Sequence, residues 1–131
     1  MRPQYVIALG ETQQAAGHRD DARETFALVD AERRLLAANG VSTDIEIALF
    51  EADHGNRARA VKLARRSWRA APSVRSADAV SWAMTRSGRA GDGLAWARRA
   101  LKLGSRDPLV LTRAGLSARA CLLYTSPSPR D

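Results

Sequence analysis

Read at helical spacing, the chain alternates apolar stripes with short polar breaks, and almost every break carries a glycine or a proline. "QYVIALGETQQAAG" sets Val6, Leu9 and Gln13 along one stripe, with the small Gly10 beside it, and stops at Gly17. "RDDARETFALVDAERRLLAANG" follows, and its apolar residues Ala22, Phe26, Val29 and Leu36 recur at helical intervals. Asp20 and Asp21 stand in its first turn, where carboxylates favour a helix N-terminus, and Asn39-Gly40 ends it. The spacing predicts two helices joined by a tight glycine turn, an αα-hairpin.

The arrangement then recurs. "STDIEIALFEADHG" leads to Gly55, and "NRARAVKLARRSWRAAP" runs to a stop at Pro72. "SVRSADAVSWAMTRSG" leads to Gly88, and "RAGDGLAWARRALKLGSRDP" ends in glycine and proline. A fourth hairpin opens with "LVLTRAGLSARA". The turn glycines Gly17, Gly55 and Gly88 are spaced by 38 and 33 residues. The small residues midway along each first helix, Gly10, Ala48, Ser81 and Gly115, are spaced by 38, 33 and 34 and are expected to let paired helices approach closely. Two sets of markers therefore share one period. They predict an all-α chain, an α-solenoid of antiparallel hairpins with about three and a half repeats. The repeats span residues 4–40, 43–72, 74–106 and an incomplete 108–120.

This period and its small-residue positions resemble the tetratricopeptide repeat, W-x₂-L-G-x₂-Y…A-x₃-F…P. The first repeat carries Leu9-Gly10 and Ala22-x-x-x-Phe26; the second has Ile47-Ala48, Ala60-x-x-x-Ala64 and Pro72. The third has Val80-Ser81, Met84 at the tyrosine position and Gly93-x-x-x-Ala97, and the fourth has Leu111, Ala114-Gly115 and Ala118. The tryptophan position departs from the pattern, holding Val6, Asp44, Ala77 and Leu111, and Gly93 stands where alanine is usual. The resemblance implies a non-catalytic scaffold whose first helices line a groove for an extended peptide or a partner helix. By that resemblance the groove would present Ile7, Glu11 and Gln14, then Ile45, Leu49 and Ala52. Asp78, Trp82, Thr85 and Arg86 follow, and Leu116 and Arg119 complete it. Trp82 with Arg86 one turn on is the expected hot spot, since tryptophan and arginine dominate interface energetics. Family members that clamp chaperone C-termini use lysine and asparagine at positions held here by Ile7, Glu11 and Leu49, so that sub-function is not expected.

Charge adds a second reading. Residues 1–54 carry ten acids and five bases, whereas residues 55–120 carry three acids and fifteen bases. Such asymmetry points to an acidic partner or nucleic acid, met by the arginine-rich second helices on the convex side. Only Lys62 and Lys102 are lysines, so the arginine excess also reads as the codon bias of a G+C-rich genome. No aromatic or glycine pattern accompanies the bases along the sequence. A further alternative is a regulatory segment of a larger enzyme or transporter.

Chemistry-bearing residues are sparse. His18 and His54 flank turn glycines with no second ligand near them in sequence. "SGRAGDG" lacks the order of a phosphate loop, no strand precedes it, and it reads as a hairpin turn. The chain is expected to be non-catalytic, with no cofactor and no metal. No apolar run approaches the roughly 20 residues that a membrane span needs.

The last eleven residues, "CLLYTSPSPRD", break the pattern. They match at every position the translation of a transposase-type sequencing-library adapter, so residues 121–131 are expected to be a non-native, disordered tail on a fragment of a longer reading frame. Pro127 and Pro129 forbid a second helix for the fourth repeat.

Overall fold

The computed structural model describes residues 3–40, 42–104 and 107–125, with side chains to Leu123. Seven helices make up the described chain, and no strand occurs among the described residues. They are α1 (Pro3–Ala15), α2 (Arg19–Ala38), α3 (Asp44–His54), α4 (Arg57–Ala70), α5 (Val74–Arg86), α6 (Ala90–Lys102) and α7 (Pro108–Thr125). None is long and apolar enough to cross a membrane. Two compact units divide the chain, Met1–Ile47 and Ala48–Asp131, with the division inside α3.

In the first unit α1 packs on α2. Gly17 turns the chain between them at φ 85°, a left-handed conformation that glycine adopts without strain. Val6 and Gly10 are buried on α1, and Ala22, Thr25 and Val29 on α2. The expected stripe is shifted by one position: Leu9 is 51% exposed, and Gly10 faces inward instead. The cause is Phe26, whose ring occupies the space a Cβ on Gly10 would take. Beside it the Thr25 hydroxyl donates to Gln13 Oε1 at 2.5 Å. The extra length of the first repeat lies in α2, which has 20 residues against 14 in α4 and 13 in α6.

In the second unit α5 packs on α4, α6 and α7, and α6 packs on α7. Capping sets the helix starts. The Asn56 side chain accepts from the Arg59 N–H at 3.0 Å to begin α4, and the Glu51 carboxylate accepts from the Asn56 N–H at 2.6 Å. Ser73 and Ser76 form a reciprocal capping box at the start of α5. Gly88 at φ 83° turns α5 into α6, as expected of a hairpin glycine, whereas Gly55 does not use a positive φ. At that turn a Cβ on Gly55 would fall on the Glu51 carboxylate.

The core of this unit is built from small residues. Ala77, Ala79, Val80 and Ala83 of α5 are fully buried, and so are Ala60, Ala64 and Ala100 on its neighbours. Helices faced with alanine approach closely, and Gly93 shows how closely. A Cβ there would strike Thr85 Oγ1 and would lie 2.9 Å from the Ser81 carbonyl oxygen. Ser81 Oγ instead donates to the Gly93 carbonyl at 2.7 Å, a buried bond between α5 and α6. The glycine that weakens α6 by helix propensity is thus the one that lets α5 seat against it. Gly115 does not share this role: nothing lies within 4 Å of a Cβ placed on it. That corrects the expectation that all four mid-helix small residues serve close approach.

α7 also departs from expectation at its end. It continues through Cys121–Thr125, a stretch expected to be non-helical. "CLLYT" contains no helix breaker. Pro127, Pro129 and the rest of 126–131 lie outside the described residues.

Candidate partner-binding site

Asp78, Trp82 and Arg86 stand at four-residue intervals on α5, hence along one face. Their environments differ. Asp78 is 5% exposed and accepts from Arg113 Nη1 of α7 at 2.5 Å. Burial raises its carboxyl pKa above the ordinary aspartate value, against the opposing pull of Arg113. Asp78 was expected to face a partner; it is instead committed to α7.

Trp82 and Arg86 are half-buried and held from the other side. The Trp82 indole N–H donates to Asp53 Oδ1 at the end of α3, at 2.8 Å. Arg86 Nε donates to the Ala52 carbonyl at 3.3 Å and lies 3.7 Å from the same Asp53 oxygen. The Arg86 guanidinium also sits over the indole, 5.9 Å from its centroid. One turn away on α5, Thr85 bonds Ser117 Oγ of α7 at 2.8 Å.

Between these ties opens a cleft of about 400 Å³ lined by Arg57, Trp82, Thr85, Arg86, Leu116 and Ala120, among others. It joins an indole, a hydroxyl and a leucine to two guanidinium groups, with Asp53 the carboxylate beside them. Its chemistry suits a segment that presents one apolar side chain and one carboxylate. A second cleft, about 520 Å³ and nearly all apolar, runs between α6 and α7 past Leu94, Leu101, Leu111 and Cys121.

Of the twelve expected groove residues, the 400 Å³ cleft gathers Trp82, Thr85, Arg86 and Leu116, while Ala52 is buried. Leu49 is half-buried on α3, and Arg119 is exposed on α7. Ile7, Glu11, Gln14 and Ile45 belong to the other compact unit, where Ile7 and Ile45 are half-buried and Glu11 and Gln14 exposed. Gln14 lines a separate cleft of about 300 Å³ with Arg19, Ala22, Arg23 and Phe26.

Sequence reasoning missed Asp53, Arg113 and Ser117. A signal existed: each lies about one repeat period from its partner on α5. The polar ties join residues 29, 32, 34 and 35 apart, from Trp82–Asp53 through Thr85–Ser117 and Arg86–Ala52 to Asp78–Arg113. The two histidines take positions at turns. His18 precedes α2 without a side-chain cap, and His54 tilts against Phe50 with ring centroids 5.4 Å apart. No protein-family model, curated protein or solved structure matches this chain.

Proposed function

We propose that this chain is a helical-repeat scaffold of tetratricopeptide type, non-catalytic, which holds a short acidic segment of a partner protein in the cleft between α5 and α7. The observation that carries this reading is the bracing of Trp82 and Arg86. The Asp53 carboxylate and the Ala52 carbonyl hold both side chains from one side, leaving their other edges on the open cleft. Preorganised aromatic and guanidinium groups lose little entropy on binding, which is why such groups serve as anchors. The ties at one repeat period support the solenoid arrangement, because in such an array each first helix meets its counterpart one repeat away.

The reading is tested by random-peptide display on the immobilised chain, followed by fluorescence anisotropy of the enriched peptides. Peptides combining an aliphatic residue with an acid are expected, and Arg86→Ala and Leu116→Ser should each weaken them by about tenfold, roughly 1.4 kcal/mol. Leu116 is 45% exposed, so its loss leaves the core untouched. No enrichment, or affinities unmoved by both variants, would overturn the proposal.

A further inference from the structure

We propose that the face formed by α4 and α6 binds single-stranded nucleic acid, with phosphates on Arg65, Arg69 and Arg99 and a base against the Trp68–Trp96 pair. Along the sequence these arginines have no aromatic companions; the fold supplies them. Trp68 of α4 and Trp96 of α6 meet edge-to-face, 5.1 Å between centroids. The Arg99 guanidinium lies over both rings, 4.4 Å from Trp96 and 5.5 Å from Trp68. Both indoles pack on the core through Ala77, Ala100 and Val110 and are only partly buried. A guanidinium stacked on an indole keeps its N–H edge free for a phosphate.

The two helices that carry this pair are predominantly basic. α4 contains no acidic residue, and the acid of α6, Asp92, sits in its first turn on Arg89 at 3.0 Å. Among the described residues, further ion pairs of this unit join Glu51 to Arg59, Asp53 to Arg86 and Asp78 to Arg113. Arg65, Arg69 and Arg99 are exposed and take part in none of these. Basic residues in a last helical turn also complement the helix dipole. That accounts for Arg69, Arg99 and Lys102, but Arg65 lies before those turns. The face sets guanidinium charge and indole surface side by side. A single strand uses both, phosphates on arginine and a base on the aromatic face.

This surface involves none of the cleft residues, so its test is independent of the peptide reading. The whole chain is titrated against labelled oligo(dT) and oligo(rU) by anisotropy over a range of salt, with polyglutamate as competitor. Binding that weakens with salt and quenches tryptophan emission is expected. The double variant Arg65→Glu/Arg69→Glu should lose tenfold or more, and its salt slope should fall by roughly 0.7 for each phosphate contact removed. Arg86→Ala should leave oligonucleotide affinity unchanged, and circular dichroism confirms that the charge-reversed chain is folded. Absence of binding at low salt, or binding unaltered in the double variant, would overturn the proposal. So would polyglutamate displacing the oligonucleotides at equal charge, which would assign the face to an acidic protein.

Discussion

Asp53 accepts the indole N–H of Trp82 at 2.8 Å across 29 positions of sequence, and the same oxygen faces Arg86. One carboxylate at the end of α3 thereby fixes the two side chains that were expected to do the binding. Asp53→Ala should therefore cost about 1 kcal/mol of stability, a modest value because the group is partly exposed. It should also lower affinity for cleft-binding peptides, whereas Asp53→Asn, which keeps an acceptor oxygen, should retain most of both. Urea denaturation and anisotropy on the two variants check this, and equal behaviour of Asn and Ala would show that the tie does not position Trp82.

Two glycines inside helices should respond to alanine in opposite directions. Gly93→Ala puts a Cβ into Thr85 and the Ser81 carbonyl, and overpacking of this kind costs about 1–3 kcal/mol. Gly115→Ala meets open space and should gain about 0.5–1 kcal/mol from helix propensity alone. Thermal melts of the two single variants distinguish these outcomes, and a stabilised Gly93→Ala would contradict the close approach of α5 and α6.

Asp78 predicts a pH dependence of defined sign. Burial raises its folded pKa above the unfolded value, so between those two values the folded chain binds the proton more often than the unfolded chain does. Its contribution to stability therefore falls as pH rises through that window and stays at its lower level above it. Asp78→Asn stays neutral and still offers an oxygen to Arg113. The stability difference, native chain minus variant, should decline from mildly acidic to neutral pH. A difference that rises instead would mean that Arg113 outweighs burial.

α7 should not be uniformly protected. Ser117 is fully buried and bonded to Thr85, and Val110 is 5% exposed, whereas Leu122 and Leu123 are 67% and 70% exposed. Hydrogen exchange should be slow around Ser117 and fast over Cys121–Leu123, and Thr85→Val should speed the former. Even exchange along the helix would place its anchor elsewhere.

The seven helices were legible because glycine and proline punctuate the apolar stripes: Gly17, Gly40 and Gly88 stand where the backbone turns left-handed, and Pro72 follows α4. On α5 the positions that the tetratricopeptide resemblance singled out, Ala77, Val80, Ser81 and Met84, are buried. Leu9 was misplaced because hydrophobicity cannot tell which of two adjacent positions meets a ring like that of Phe26. The site was legible only in part. Trp82, Arg86 and Leu116 were named through the tetratricopeptide resemblance, but Asp53 and Arg113 were not, because a carboxylate on a helix surface looks the same whether it faces water or a guanidinium. The pairing of Trp68 with Trp96 was beyond one-dimensional reading, since 28 residues separate them.

α5 meets its neighbours through alanine and serine on nearly every side, with eight of its thirteen residues buried. Such a helix works as a spacer of fixed gauge. Its thickness sets how far apart α4, α6 and α7 stand, and so how wide the Trp82–Leu116 cleft opens. One added methyl on α5 would widen the gap on the side it faces, whatever that side binds. Changes of selectivity in this chain are therefore as accessible from the inner face of α5, which touches no ligand, as from the cleft itself.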